Sequence, residues 1–389
     1  MFGLNYHKPH WGPIGLDLNR DCIRMVQLCT TREGLVITAA HERKVHCSDE
    51  QGVLHGRWKS TLQRMLEEYD FRGKRVVVGC PPDLLKITPV RLSESEDEQS
   101  CMEMQRQAAW RLGWDPELYT VESLPAGRVM QQDQAKVEVI LMAAENQGIR
   151  ALLEQLDEVG VEVVGLDPIP CAVFRNAQRY MKKKGESDQL TVFVDVGRGF
   201  THVVFGRGET ISFIKQIPLG TEHFLREITQ KLGIDALQAE LLRATANQPY
   251  SDHDADDTSE GVILERGIRQ AVMDADTTIS EELCREMGLC LRYYTVTFRG
   301  QRVSRVVFSG GEGEEAILQG IMERVMHVPV RSMDPFEGLI SPLPHLPNSV
   351  KDHSRPWAVA TGLALKGWLT TDGSLEISTG SAQKSLVTI

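Results

Sequence analysis

The chain has no C-x-x-C pair, although it carries eight cysteines. They are scattered at Cys22, Cys29, Cys47, Cys80, Cys101, Cys171, Cys284 and Cys290. That scatter offers neither a disulfide framework nor a zinc-ligand spacing. Cys22, Cys80 and Cys171 sit inside apolar runs and read as buried free thiols of a reducing compartment. No run of about 18 apolar residues occurs, so no membrane-spanning helix is encoded. Met1 to Trp11 lacks the charged-then-apolar order of a signal peptide. An excess of positive charge is also missing: 43 Lys and Arg stand against 54 Asp and Glu, for a net charge of −11. That balance speaks against a nucleic-acid footprint and against direct contact with anionic lipid. The one basic run, Lys182-Lys183-Lys184, reads as a solvated loop. The expectation is a soluble cytoplasmic protein.

What is present is length and apolar content: 389 residues, 41% apolar, enough for two sizeable cores. The chain opens as a meander. Ile14-Gly-Leu-Asp-Leu ends in the turn-type cluster Asn19-Arg20-Asp21. Cys22 to Leu28 alternates as a strand does, Glu33-Gly34 turns, and Leu35 to Ala39 returns. Trp58, Leu62, Met65 and Leu66 recur at helical spacing, and Val76-Val-Val-Gly79 is a short buried strand. From Ile87 to Leu166 the texture changes. Ser95-x-x-Glu98 reads as a capping box, Gly113 stops a helix, and Val137 to Ala143 is a strand. Ile149, Leu152, Leu153, Leu156 and Val159 mark a helix ending at Gly160. This stretch reads as an inserted subdomain.

Leu190 to Val196 then begins a second meander, turned at Gly197-Arg-Gly199 and again at Gly206-Arg-Gly208. Asp17 ends the first strand of one meander and Asp195 that of the other, 178 residues apart, each with an Arg three positions on, Arg20 and Arg198. We read this as an internal duplication. Helices follow around Phe224 to Leu232 and Ala236 to Ala244. Gln248 to Gly261 is a polar loop. Thr278-x-x-Glu281 reads as another capping box. Val303 to Phe308 is a strand ending in Ser309-Gly310-Gly311, followed by helices at Ile317 to Val325 and Trp357 to Leu369. Pro342 to Pro356 reads as a connecting loop and Ser378 to Ile389 as a loose tail.

Three features carry chemistry together: an Asp closing a buried strand before a tight turn, the same arrangement again, and a strand ending in Gly-Gly. Amides in tight turns wrap phosphate, and carboxylates beside them hold Mg²⁺ through water. Gly197 and Gly199 let the backbone approach a phosphate, and Gly310 and Gly311 make a flat surface for a purine. Singly, each feature is more often a structural turn. In this order they form a nucleotide motif.

On these residues the chain resembles the actin-like ATPase superfamily and, within it, the PilM family of type IV pilus assembly proteins, relatives of FtsA. Ile14-Gly-Leu-Asp17 with Ile23 to Leu28 looks like the first phosphate hairpin, and Val194-Asp195-Val-Gly197 with Thr201 like the second. Gln216-Ile-Pro-Leu-Gly220 resembles the stretch that follows, and Ser309-Gly310-Gly311 the adenosine motif. Met333 to Phe336 and Ala360 to Lys366 resemble the C-terminal blocks. Val139 to Ala144 and Val161 to Asp167 are similar to the inserted subdomain IC. The resemblance implies an α/β actin-like ATPase fold of two duplicated lobes with mixed sheets. It implies subdomain IA at 10–88 with 166–189 returning, IC at 89–165, IIA at 190–235 with 300–370 returning, IIB at 236–299 and a tail at 371–389.

The same resemblance implies ATP and Mg²⁺ as cofactors. Asp17, Asn19, Arg20, Asp195, Gly197, Arg198, Gly199, Thr201, Gly310, Gly311 and Glu312 would surround the nucleotide, and Asp17 and Asp195 would hold Mg²⁺ through water. Glu240 and Arg243 match a Glu and a Lys that face ribose and base. Arg20 and Arg198 replace small residues, and Glu312 stands where a small residue is usual. No catalytic base is placed; Asp167 is the weak candidate, against a turn-forming Asp before Pro168. The enzyme class implied is at most a slow ATPase. The implied partner is the cytoplasmic tail of a PilN-like inner-membrane protein, gripped in the IA–IC groove, with other pilus assembly proteins and a homo-oligomer as further contacts. Membrane contact is indirect, because Leu375 to Ile389 lacks a basic amphipathic face. A pseudo-ATPase with a decayed site is the rival reading, and a small-molecule kinase of the same fold a minor one. Other residues read as structural: His202 as a packed strand histidine, His7 and His10 as loose terminus, and Asp252 to Asp257 as an exposed loop.

Overall fold

The computed structural model describes residues 10–45, 56–95, 97–246, 266–299, 302–311, 316–340 and 355–370. The first lobe begins with β1 (His10–Leu18), β2 (Cys22–Thr31), β3 (Gly34–Lys44), α1 (Lys59–Glu68) and β4 (Arg75–Cys80). An insert follows, made of β5 (Leu85–Ser93), α2 (Glu98–Arg111), β6 (Tyr119–Gln131) and β7 (Gln134–Glu145). The chain returns through α3 (Asn146–Val159), β8 (Glu162–Pro168) and α4 (Ile169–Lys183). The second lobe holds β9 (Thr191–Val196), β10 (Thr201–Arg207), β11 (Thr210–Ile217), α5 (Thr221–Leu232), α6 (Ala236–Ala246) and α7 (Arg266–Thr297). It continues with β12 (Arg305–Gly310), α8 (Ala316–Met326) and β13 (Val330–Ser332), and α9 (Ala358–Thr370) follows.

The duplication read from the two meanders is visible in strand order. The first sheet runs β3-β2-β1-β4-β8 and the second β11-β10-β9-β12-β13. In each, the first three strands pair antiparallel and the last two join in parallel. The central strands β1 and β9 are largely apolar and buried because both faces are covered. Ile14, Leu16, Ile23 and Met25 face the main core with Leu62 and Leu152, whereas Val26 and Leu28 face Trp357, Ala360 and Ala364.

Several boundaries differ from expectation. The insert's sheet, β5-β7-β6, is antiparallel and ends at Glu145. The segment from 146 to 165, expected with it, packs back on the first lobe, where α3 meets α1 and β8. Likewise α9, expected with the second lobe, lies on α4, β1, β2 and β4. Its uniformly apolar surface is the reason: a helix of that kind needs cover on several sides. The cap of α2 is Asp97, which accepts the Ser100 amide, and not Ser95. Thr278 lies within the 32-residue α7, its hydroxyl bonded back to Asp274. Lys182 and Lys183 form the last turn of α4. His10 starts β1, with its ring edge-on to Trp368. Of the cysteines described, all but Cys101 are buried and all are free. The segments expected to be loops at 248–261 and 342–354, the tail, and His7 lie outside the described residues.

Helix α9 is wedged by two glycines. A Cβ on Gly15 would stand 2.1 Å from the Ala360 carbonyl oxygen, and one on Gly362 would stand 2.0 Å from that of Ala172. Both obstacles are backbone, which cannot swing aside. Gly362→Ala is therefore expected to lower stability by about 1–3 kcal/mol through overpacking. Gly320→Ala, in the open on α8, is the matched control. It should be neutral or stabilising by up to about 1 kcal/mol. Urea melts of the two variants check the contrast.

Candidate functional site

The two duplicated hairpins face each other across a cavity of about 590 Å³. Asp17, Asn19, Arg20, Asp195, Gly197, Arg198, Gly199, Gly310, Gly311 and Glu240 all line it, as do Asp21, Arg24, Lys44, Asp83 and His202. Register explains the arrangement. Asp17 pairs across its hairpin with Arg24, and Asp195 with His202, each partner seven residues on. The pleat thus brings the acid and its partner to the same end of the sheet.

Asp17 accepts a hydrogen bond from Asn19 Nδ2 at 3.0 Å and lies 4.0 Å from the Arg24 guanidinium. Burial pushes its carboxyl up to about 7 against the pull of Arg24, and the charge of Asp195 across the cleft adds to the rise. Asp195 accepts from Ser309 Oγ at 2.8 Å, and His202 Nδ1 is 3.9 Å away. Neither ring nitrogen of the buried His202 has a hydrogen-bond partner among the described residues. Gly310 has φ +86°, and a Cβ there would meet the Val196 oxygen at 2.6 Å, so only glycine lets the end of β12 close this tightly on β9 at the cavity edge.

The hairpin arginines are engaged. Arg198 Nη1 donates to Asp21 of the other lobe at 2.6 Å. Arg20 donates to Asp83 at 3.0 Å and lies 3.7 Å from Glu222 of the second lobe. Lys44 bridges to Glu240 at 3.0 Å. Three ion pairs therefore cross between the lobes over the mouth of the cavity.

Not every expected residue gathers here. Thr201 is fully buried and donates to the Leu219 carbonyl at 2.7 Å, tying its strand to the turn before α5. Arg243 is in the second-lobe core, paired with Asp276 at 2.8 Å and laid over the Phe224 ring. Neither lines the cavity, because each satisfies a buried partner nearer to hand. Asp167 is also elsewhere: it is fully buried, 2.7 Å from Arg175 and 2.8 Å from Lys366. Burial pushes its carboxyl up, but the two cations outweigh that and hold it below the usual carboxylate range. It joins β8, α4 and α9 and is neither a turn cap nor a base in the cavity. Glu312 lies outside the described residues.

Arg24, Asp83, Lys44 and the lack of a hydrogen bond on either ring nitrogen of His202 were missed by motif reading. The seven-residue spacing common to Asp17–Arg24 and Asp195–His202 was the available signal for two of them. A second buried group was also missed. Glu138, fully buried on the insert's inner face, accepts from Arg91 Nε at 2.9 Å and from the Tyr293 hydroxyl. Arg91 also donates to Thr297 at 2.8 Å, which fastens the insert to α7 of the second lobe.

Two lobes of duplicated topology, with paired acid-bearing hairpins facing one cavity, define the actin-like ATPase fold. No family model matches the chain, and no curated protein matches it. Among solved structures it is similar to the PilM–PilN type IV pilus biogenesis complex, with TM-score 0.73 and 19% identity over 92% of this chain and 98% of that one. It is also similar to the ethanolamine utilization protein EutJ from Carboxydothermus hydrogenoformans, with TM-score 0.52 and 13% identity over 92% and 90%. At these identities the likeness is one of fold. Among the described residues, no helix is long and apolar enough to cross a membrane.

Proposed function

We propose that the chain is a nucleotide-binding scaffold of an inner-membrane assembly platform, of the type IV pilus or a related secretion system. It grips the cytoplasmic tail of a PilN-like membrane protein in the groove between the first lobe and the insert. The observation that carries this reading is the near full-length likeness to the PilM–PilN structure. Exposed apolar side chains on the insert, Trp110 and Leu118 at 64% and 60%, support a partner surface there. The protein would work in the cytoplasm and reach the membrane through that partner and other pilus assembly proteins.

The cavity suits ATP and Mg²⁺. Asp17 is a buried carboxyl without a full counter-charge, and it would gain from a cation. At the strand end Gly311 has open space where a Cβ would stand, which leaves room for a ring. Asp17 and Asp195 would hold Mg²⁺ through water, the hairpin amides and arginines would hold the phosphates, and Gly310-Gly311 would back the base. Bound ATP supplies a magnesium-neutralised polyphosphate. The chain's own groups bind and orient it between the lobes, and the lobe angle sets the shape of the partner groove or self-association. No residue in the cavity is assigned as a base, so turnover is at most slow.

Calorimetric titration with ATP and Mg²⁺ tests the site. The wild-type chain should bind, and Asp195→Ala should weaken binding at least about tenfold by removing a cation-holding carboxylate. A PilN-like tail peptide followed by fluorescence anisotropy tests the groove. The cross-cleft pairs Arg198–Asp21 and Arg20–Glu222 favour a second reading, a decayed site in which the arginines fill the phosphate turns. A folded wild-type chain that binds the peptide and not ATP would decide for it.

A further inference from the structure

The cleft carries a nearly balanced charge set. Six carboxylates and five Lys or Arg side chains line it. A ligand of several negative charges therefore enters only if cations are released from the carboxylates that already hold them. Arg24 is bound to strand residues of its own sheet, Asp17 and Glu42. Arg43 is turned to Glu68 and Tyr69. Arg20 and Arg198 differ: each sits in the turn just after a hairpin acid and donates to a carboxylate in a short turn, Asp83 or Asp21, with Glu222 of α5 a further 3.7 Å neighbour of Arg20.

These pairs are weak opponents. Arg198 and Asp21 are 36% and 42% exposed in their side chains, and Arg20 and Asp83 are 28% and 40% exposed. Ion pairs so open to water are screened and contribute little. A phosphate held by a guanidinium fork in a cleft forms a shorter, charge-assisted contact. The exchange of carboxylate for phosphate thus runs toward the ligand, but only for a ligand with enough phosphate groups to engage both turns.

We propose that Arg20 and Arg198 are the phosphate-recognising residues of this cleft, held in reserve by Asp83 and Asp21, and that they select polyphosphates over monophosphates. The inference rests on the nucleotide-binding reading for its ligand, but its own test does not need a base. Asp21 and Asp83 act as internal anions that compete with the ligand. Removing one strengthens binding, and removing the arginine it holds weakens binding.

The experiment titrates the full chain with ATP, AMP and inorganic tripolyphosphate, each with Mg²⁺, and takes a melting curve of every variant. For ATP, Asp21→Asn should tighten binding by up to about fivefold, the worth of one exposed ion pair. Arg198→Gln should weaken it by about tenfold or more, the worth of one charge-assisted contact, with Arg198→Lys between. Arg20→Gln should act in the same direction as Arg198→Gln. AMP affinity should move less than twofold in all four variants. Equal effects on ATP and AMP, or ATP affinity unchanged in both Arg198→Gln and Arg20→Gln, would overturn the proposal. If the wild type binds tripolyphosphate in an Arg198-dependent way but not ATP, the nucleotide reading fails and this inference stands. If neither the wild type nor Asp21→Asn binds tripolyphosphate, this inference fails by itself.

Discussion

Asp167→Ala is expected to lose about 3–5 kcal/mol of folding stability, because it strands two cations inside the protein. Asp167 is fully buried, and its carboxylate is the partner of both Arg175 and Lys366. Lys366 is 5% exposed and sits on α9, and its remaining contact is with the Leu166 carbonyl at 3.4 Å. Removing the carboxylate leaves a buried ammonium without its direct ion-pair partner, and Glu122 acts on it only as a more distant charge. Part of the loss should return in Asp167→Ala/Lys366→Met, which removes the stranded charge as well, and a double-mutant cycle in urea measures the coupling. The pH dependence has a definite sign. The folded carboxyl lies below its ordinary value of 3.8, so its contribution is present above that value. It is lost as pH falls through the lowered folded value. Acid melts of the wild type should therefore show a steep decline that Asp167→Ala lacks.

Asp17→Asn is expected to do the opposite in the ligand-free protein. The wild-type carboxyl is pushed from 3.8 up to about 7 by burial, with Asp195 adding to the rise. Below its unfolded value the proton is bound in both states and nothing is lost. Between 3.8 and about 7 the unfolded chain gives up this proton while the folded carboxyl keeps it, so stability declines across that window and levels off above it. At 1.36 kcal/mol per unit the cost approaches about 4 kcal/mol above pH 7, as an upper bound. Asn19 and Arg24 lose a partner in the variant, which offsets some of the gain, although Arg24 keeps Glu42 at 3.1 Å. A rise in Tm at pH 8 that vanishes near pH 4 is the expected result. With Mg²⁺ and ATP the order should reverse, because the variant no longer holds the cation. A group that destabilises the empty protein and is restored by ligand has the profile of a functional residue.

Much of the architecture was legible because it repeats. Two meanders with an acid at the same place, and an Arg three residues on, predict two lobes facing one cleft, and the shared sheet order confirms them. The hairpin glycines and the Ser309-Gly310-Gly311 strand end were legible for the same reason: tight turns have few residue solutions. What escaped were the long-range pairings. Asp167 reads locally as a turn before proline, and its partner Lys366 is 199 residues away. Arg243 resembles a ligand-facing residue until Asp276, 33 positions on, is folded against it. The insert's boundary escaped because α3 carries an apolar stripe that suits either neighbour, and only packing on α1 decides between them. Glu138 gave no signal because a lone Glu in an apolar strand reveals nothing of Arg91 on the next strand or of Tyr293 across the interface.

The position of α9 has a consequence for synthesis. Its contacts with β1 join residues more than 340 positions apart, and the outer face of β1 and β2 has Trp357, Ala360 and Ala364 as its cover. While the chain emerges from the ribosome, the first sheet can form its strands but keeps Val26, Leu28 and Ile37 open to water until residues 357–370 arrive. The second lobe carries its strands and helices in one later stretch and meets no such delay. The lobe that is made first is thus finished last. Nascent chains stalled before residue 357 should display that apolar face to chaperones, and chains stalled well beyond residue 370 should not.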